Sequence, residues 1–215
     1  MFVRDRAHAQ KILKSGTYDL LLTGENVKRT LWFYGDRAAA HMIYPGYSTW
    51  KIGDDVQGVT HGERVTITLR ALAPYSTEGI PMRDRTLLEN GVLQGIHGRN
   101  RFCRYLGVEP TGDYRKLSCD NEGAMSFEEM KKVPCLWAVT FSDFQMDIFS
   151  GHFGGEIRLA YLIEDGKMTP VTGGSVNGSI IEAQKDIAFS TDRFRCEEYE
   201  GPYAIKLKGI SVAGE

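Results

Sequence analysis

The sequence predicts an α+β fold with a mostly antiparallel β-sheet. Two segments, residues 85–95 and 160–170, place an apolar pair shortly before Asn-Gly or Asp-Gly. These dipeptides accept the positive φ angles of a type I′ turn, so each segment is predicted to form a tight β-hairpin. Alternation of apolar and polar residues over 64–70 and 203–212 predicts two further half-buried strands. Apolar spacing of three and four residues over 25–43 predicts the longest helix.

Local signals predict the remaining elements. Helical spacing indicates helices over residues 5–14, 100–106 and 180–187. Ser126 and Glu129 have the spacing of a capping box, which marks a helix start. Apolar runs rich in β-branched and aromatic residues predict strands over 17–22, 135–141, 144–149, 156–163 and 167–171. Gly- and Pro-rich segments over 51–62, 74–81 and 110–123 are predicted to be loops and turns.

The composition is that of an ordinary globular protein. The chain has 215 residues, of which 42% are hydrophobic and 25% are charged. Its net charge of −2 gives no basic field that would attract nucleic acid or an anionic membrane. No apolar run approaches the roughly 20 residues that span a bilayer, and the N-terminus lacks the apolar core of a secretory signal. We therefore expect a cytoplasmic protein with no nucleic-acid or membrane partner.

The cysteines are dispersed and form no C-x-x-C pair. A disulfide framework is typical of small secreted domains with little core, and this chain is long with ample apolar content. The thiols are therefore predicted to be free, at positions Cys103, Cys119, Cys135 and Cys196.

From about residue 17 onward, six segments resemble, in order, the C-terminal half of the TldD/PmbA family. The segments are TYDLLLTGENV, GYSTWKIGDDV, STEGIPMRDRTLLENGVLQG, RYLGVEPTGDYR, the run DIFSGHF…AYLIEDGK…GGSVNGSIIEAQKDI, and GPYAIKLKGISVAG. Each match alone is weak, but six in the correct order are specific. The resemblance implies a barrel-like β-sheet with a few packed helices. It divides the chain into a leading helix over 1–16, an interdomain remnant, and a β-rich C-terminal-type domain over 17–215.

What the resemblance implies is an intracellular zinc metallopeptidase system, also known as modulators of DNA gyrase. TldD-like subunits hold zinc with an HExxxH helix and a later Cys, whereas TldE-like subunits lack these ligands. The two kinds of subunit associate and act on unfolded peptides. Family members normally carry an N-terminal α/β domain before the half that resembles this chain.

The zinc motif of the family is missing from this sequence. A zinc peptidase needs three protein ligands, an open position and a carboxylate base, and the chain contains neither HExxH nor HExxxH. When the metal helix is laid on residues 28–37, Leu31 and Asp36 replace the histidines and Trp32 replaces the glutamate. Cys196 lacks the family's flanking Gly and Lys, so it is predicted to be a structural or surface thiol. We expect no catalytic residue, metal ligand or cofactor here, with zinc only in a partner subunit.

Asp147, Ser150 and His152 form the polar part of a family-like Ser-Gly-x-Phe turn. One interpretation is a polar lip on a peptide-binding groove. The alternative is a turn whose Ser and Asp side chains hydrogen-bond the backbone. A hydrolytic triad is disfavoured, because adjacency in sequence is not triad geometry. His97, which follows the first hairpin, is predicted to be exposed.

Peptide binding is predicted to use β-augmentation, in which an exposed strand edge pairs with an extended peptide backbone. The predicted edge lies near residues 156–163, with Ile157 and Leu159 as its candidate binding residues.

Together these features predict a non-catalytic peptide- and partner-binding subunit or domain of a TldD/TldE-type metallopeptidase system. The expected partner is a TldD-like subunit in a homo- or heterodimer, and the expected substrate is an unfolded peptide. One alternative is a zinc peptidase whose ligands are supplied in trans by another chain. The other is a stand-alone structural or dimerisation module.

Overall fold

The computed structural model describes residues 2–11 and 14–214. Its helices are α1 Phe2–His8, α2 Glu25–Arg37, α3 Ala40–Ile43, α4 Asn100–Leu106, α5 Phe127–Met130 and α6 Ile180–Ala183, with a 3₁₀ turn over Gln184–Asp186. Its strands are β1 Gln10–Lys11, β2 Gly16–Thr23, β3 Ile67–Arg70, β4 Arg85–Glu89, β5 Val92–Leu93, β6 Lys116–Cys119, β7 Cys135–Met146, β8 His152–Glu164, β9 Lys167–Thr172, β10 Ser175–Ser179, β11 Ala188–Phe189, β12 Arg193–Arg195, β13 Tyr199–Pro202 and β14 Ala204–Ala213. No helix among these is long and apolar enough to cross a membrane.

Five strands close into a barrel. The order is β8-β10-β14-β2-β7, and β7 pairs again with β8 to complete the ring. The predicted α+β class and barrel-like sheet are therefore confirmed. Most strand pairs of the barrel are antiparallel, but β2 and β7 run parallel, so the barrel is mixed rather than purely antiparallel. A parallel pair requires a long crossover, and here the crossover contains α2–α5 and most of a second sheet.

The second sheet has six strands in the order β12-β13-β6-β3-β4-β5. It contains three strands that the sequence did not predict, β6, β12 and β13. Each is only three or four residues long. Such short strands offer too few residues for an alternating pattern. One apolar core joins the two sheets, because Leu20 and Leu207 of the barrel share a buried cluster with Ile67 and Leu117.

Both predicted hairpins are present. Asn90 and Gly91 have φ of 49° and 74° between β4 and β5, and Asp165 and Gly166 have φ of 50° and 72° between β8 and β9. These values match the two left-handed central residues of a type I′ turn. The capping box is also confirmed, because Ser126 and Glu129 bond reciprocally at the start of α5.

The long predicted helix over residues 25–43 is two helices, α2 and α3. Ala39 adopts an extended conformation between them, and the N–H of Ala40 donates to the carbonyl of His97 at 2.8 Å. A contact with a distant loop thus interrupts the helix. Val27, Leu31 and Tyr34 place the apolar face of α2 in the shared core.

Three other boundaries differ from the predictions. The first helix ends at His8, and Ile12 and Leu13, which contributed to its predicted spacing, lie outside the described residues. The strands predicted over 135–141 and 144–149 are one bulged strand, β7, because β8 pairs along its whole length. The predicted helix over 180–187 is α6 followed by a 3₁₀ turn.

Candidate functional site

A groove runs between α2 and β7. Lys28, Trp32 and Asp36 recur every four residues, so they lie along one face of the helix. Across the groove, Phe144 and Met146 recur every two residues along β7. The cavity measures about 600 Å³. We call it the α2–β7 groove; its remaining lining residues are Arg29, Tyr114, Arg115, Ile148 and Glu198.

A smaller cavity of about 360 Å³ opens from the same place. It shares Trp32, Asp36 and Tyr114 with the groove, so the two spaces meet at these side chains. We call it the Asp36 pocket; its other lining residues are Ala39, His41, His97, Gly98, Arg99, Phe102 and Asp113.

The edge of β7 that borders the groove is free of a strand partner beyond Ala138. The parallel pairing with β2 covers only Leu136–Ala138. Past that point the side-chain amide of Asn26 bonds to the carbonyl of Val139 at 3.3 Å. No described strand pairs with this edge over residues 140–146.

The orientation of this edge follows from its register. The N–H of Asp147 donates to the carbonyl of His152 at 2.7 Å, so Asp147 faces β8. Backbone groups alternate sides along a strand, and Phe144 and Met146 lie opposite Gly155 and Phe153 in the same ladder. The N–H and C=O groups of Phe144 and Met146 therefore face the unpaired edge.

The ionisable groups of the groove differ in how well they are paired. Lys28 Nζ lies 2.7 Å from Glu25 and 2.9 Å from Glu198, and these carboxylates raise its pKa despite the opposing effect of burial. Asp36 has no such counter-charge among the described residues. Burial raises its pKa to about 6, and a hydrogen bond from Trp32 only partly offsets that effect.

These residues do not fit a zinc ion. Leu31 is completely buried in the core, Trp32 offers an indole, and only Asp36 could supply a ligand. The described residues contain no group of three His, Cys, Asp or Glu side chains placed to hold a metal. Cys196 is half-buried beside the start of α2, where its thiol hydrogen-bonds to Glu25 and contributes to lowering the pKa of that carboxylate, after the larger effect of Lys28.

His97 was predicted to be exposed, and the structure corrects this. Its side chain lies under the start of α3, and Nε2 bonds to the carbonyl of Gly35 at 2.8 Å. A carbonyl can only accept, so Nε2 carries the proton, and burial lowers the pKa of the ring. Nδ1 of His97 is buried and has no partner among the described residues.

Asp147, Ser150 and His152 are brought together in the turn between β7 and β8. Asp147 accepts hydrogen bonds from the Ser150 hydroxyl and, at 2.9 Å, from the N–H of Phe149. These two hydrogen bonds lower the pKa of Asp147. The His152 ring instead contacts the carbonyl of Gly178 at 3.4 Å. The geometry is that of a hydrogen-bonded turn, and the Ser150 hydroxyl bonds to Asp147 rather than to His152.

The predicted binding edge at Ile157 and Leu159 needs correction. Strand β8 is paired on both sides, with β7 along one edge and with β9 and β10 along the other. Ile157 is completely buried and Leu159 is 1% exposed, on opposite faces of the sheet. Neither side chain can contact a ligand at a free edge.

The free edge of β7 was missed because its sequence gives no sign of which edge lacks a partner. The face of α2 carried a clearer signal. Lys28, Trp32 and Asp36 follow one another at intervals of four residues, and that spacing predicts a shared helix face.

Comparison with known proteins agrees with this architecture. The PmbA/TldA metallopeptidase C-terminal domain family matches residues 15–214. The TldD homologue metalloprotease of Haemophilus influenzae is 30% identical over 169 residues, covering 67% of this chain and 34% of that protein. A metalloprotease of Methanothermobacter thermautotrophicus is 27% identical over 195 residues, covering 80% of this chain and 42% of that protein.

Solved structures show the same fold. A Bacteroides thetaiotaomicron protein named as a modulator of DNA gyrase has a TM-score of 0.78 at 21% identity, covering 98% of this chain and 50% of its own. TldE from Thermococcus kodakarensis has a TM-score of 0.72 at 18% identity, and the match covers 94% of this chain and 51% of the TldE chain. The chain thus spans about a third to a half of these relatives. It belongs to the TldD/PmbA family and corresponds to its metallopeptidase-like C-terminal domain.

Proposed function

We propose that this chain is a non-catalytic domain that binds unfolded peptides and a partner subunit in a TldD/TldE-type metallopeptidase system. The observation that carries the proposal is the unpaired edge of β7 along the α2–β7 groove. An extended peptide can add to such an edge through backbone hydrogen bonds, which require little sequence specificity. The proposed binding edge is therefore on β7, where backbone groups are free, and not on the strand near residues 156–163 that the sequence had indicated.

The side chains around the groove suit a binding role. Phe144, Met146 and Ile148 offer apolar contacts to alternate side chains of a bound strand. Arg29 and Arg115 are exposed at the groove and form no ion pair with a described residue. Where TldD-like relatives carry the two zinc-binding histidines and the glutamate base, this chain has Leu31, Asp36 and Trp32, which favours binding over hydrolysis by this chain.

The test replaces Met146 with proline. Met146→Pro removes an N–H from the free edge while leaving the bonds to β8 in place. Edge strands tolerate proline at positions whose N–H points away from the neighbouring strand. The variant loses one backbone hydrogen bond to the peptide and gains local strain. Its affinity for a fluorescein-labelled unfolded peptide, measured by anisotropy, should therefore fall about fivefold to tenfold. Met146→Ala is the matched control, because it removes the side chain but keeps the N–H. Equal affinities for both variants would exclude pairing at this edge.

Partner binding needs a separate measurement. Native mass spectrometry of the chain purified from its own cells should reveal a stoichiometric subunit that carries HExxxH and zinc. A homo-oligomer without such a partner would favour the structural-module alternative. Stoichiometric zinc on this chain together with chelator-sensitive peptide cleavage would favour zinc ligands supplied in trans.

A further inference from the structure

We propose that the Asp36 pocket binds an aliphatic ammonium group, supplied by a lysine side chain or by the amino terminus of a peptide in the α2–β7 groove. The proposal rests on the peptide-binding function for the delivery of this group. It adds a specificity that backbone pairing alone does not supply.

The first observation is a carboxylate without a counter-charge. Asp36 lies where the groove and the pocket meet, and no ion pair joins it to any described residue. Its raised pKa has burial as the leading cause, and no nearby cation contributes. A ligand that brings a positive charge would supply the missing partner, because a charged hydrogen bond is stronger in a poorly solvated site.

The second observation is that the arginine lining the pocket with Asp36 is already engaged, whereas the unpaired Arg29 and Arg115 line only the groove. Arg99 lines the pocket, but its Nε lies 2.5 Å from the Asp113 carboxylate. Lys28 lines only the groove and is held by Glu25 and Glu198. Asp36 therefore supplies the uncompensated charge of the pocket.

The third observation is the character of the walls. Trp32, Phe102 and Tyr114 surround the space with aromatic rings, which attract a cation and pack against an aliphatic stem. His97 also lines the pocket, and burial lowers the pKa of its ring, so at neutral pH it adds no positive charge that would oppose a cation.

The shared boundary allows one ligand to occupy both spaces. Trp32, Asp36 and Tyr114 belong to the linings of the groove and the pocket alike. A peptide paired with β7 can therefore direct one group across this boundary. The pocket, at about 360 Å³, has room for a single side chain.

The experiment compares peptides that differ at one position, lysine or norleucine, which has an aliphatic side chain without the ammonium, each with a free or an acetylated amino terminus. The protein is used as the wild type, as Asp36→Asn, and as Glu164→Gln. Glu164 is an exposed carboxylate at the second hairpin, so its variant controls for the change in net charge. We expect wild type and Glu164→Gln to bind the lysine peptide about tenfold more tightly than the norleucine peptide, and Asp36→Asn to bind both equally.

The outcomes separate this proposal from the proposed function. If wild type binds all four peptides equally, whether they carry lysine or norleucine and a free or an acetylated amino terminus, the ammonium pocket is overturned while peptide binding stays intact. A preference set by amino-terminal acetylation rather than by lysine assigns the pocket to the peptide terminus. If no peptide binds, the proposed function fails, and n-butylammonium becomes the probe. An Asp36-dependent shift of the Trp32 indole N–H resonance then supports the pocket, and no shift overturns it.

Discussion

The hydroxyl of Tyr34 donates a hydrogen bond of 2.7 Å to Oε1 of Gln184, 150 residues later in the chain. Both side chains are buried, one in α2 and the other in the 3₁₀ turn after α6. The backbone carbonyl of Gln184 also accepts from the side chain of Gln57 at 3.1 Å, and Oε1 of Gln57 accepts from the N–H of Val65 at 2.9 Å. This buried network fixes α2, and hence the wall of the groove, against loops from distant parts of the chain.

Replacing Tyr34 with phenylalanine should test this link. Tyr34→Phe keeps the ring but leaves Oε1 of Gln184 buried without its donor, which costs about 1–3 kcal/mol of unfolding free energy. Chemical denaturation measures the loss. Tyr18→Phe is the control, because its hydroxyl bonds at 3.1 Å to the Lys14 carbonyl at the surface, where water can replace it. Equal losses in both variants would contradict a special role for the buried bond.

Arg37 links the end of α2 to the turn that follows β7. Its Nη1 donates to the carbonyl of Tyr47 at 2.6 Å and to that of Phe149 at 3.2 Å, and its guanidinium lies 5.5 Å from the centre of the Trp50 ring. Arg37→Ala should free this turn. We expect faster amide hydrogen exchange over residues 147–152 and weaker peptide binding in the groove. Faster exchange with unchanged peptide affinity would show that the turn does not support the groove.

The parts of the fold that could be predicted depend on local signals. Asn90-Gly91 and Asp165-Gly166 determine their turns through backbone preference alone, and α4 ends at Gly107, as its left-handed φ of 70° requires. The interruption at Ala39 could not be predicted, because the three alanines 38–40 favour helix and backbone bonds to the distant His97 break it. Strand β10 was also not predicted, because its sequence SVNGS contains turn-forming residues and only its pairing with β8 and β14 makes it a strand.

The same distinction applies to the candidate site. Its helix face was visible in the spacing of Lys28, Trp32 and Asp36, whereas its other wall depends on pairing between distant strands. The edge of β7 becomes free where β2 stops pairing, at Ala138, whereas β9 and β10 cover the outer edge of β8. Nothing local to Ile157 or Leu159 reports that β8 is paired on both sides, so the predicted edge fell on the wrong strand.

The two hairpin glycines offer a matched pair of substitutions. Gly91 and Gly166 have nearly equal φ values of 74° and 72°, so alanine suffers the same backbone penalty of about 1 kcal/mol at each. At Gly166 a new Cβ meets nothing within 4 Å. At Gly91 it would lie 2.8 Å from both Arg64 Nη2 and Gln57 Oε1.

The surroundings of Gly91 cannot easily move. Arg64 is held by Asp55 and by the carbonyls of Gly58 and Asn90, and Gln57 belongs to the buried network. Gly91→Ala should therefore lower the free energy of unfolding by about 2–4 kcal/mol, against about 1 kcal/mol for Gly166→Ala. Urea denaturation distinguishes the two. Equal losses would mean that Arg64 and Gln57 move aside at little cost.

Asp36 should make the stability of the fold depend on pH. Burial raises its folded pKa from 3.8 to about 6, so the folded state must ionise a poorly solvated carboxyl that the unfolded chain ionises freely. The free energy of unfolding is therefore not reduced by Asp36 below about pH 4. It falls as the pH rises to about 6 and is then constant. Asp36→Asn lacks this fall, so relative to wild type it should gain stability on the order of 2 kcal/mol across that interval, allowing for partial exposure.

Taking the difference between the two proteins at each pH removes the contributions of other groups. The ionisable neighbours that line the same two cavities are Lys28, Arg29, His41, His97, Arg99, Asp113, Tyr114, Arg115 and Glu198. Thermal denaturation of both proteins from pH 4 to pH 8 gives the required curves. A constant difference would show that water or a neighbouring cation already stabilises the Asp36 carboxylate, and the pocket would then lack the uncompensated charge that attracts an ammonium group.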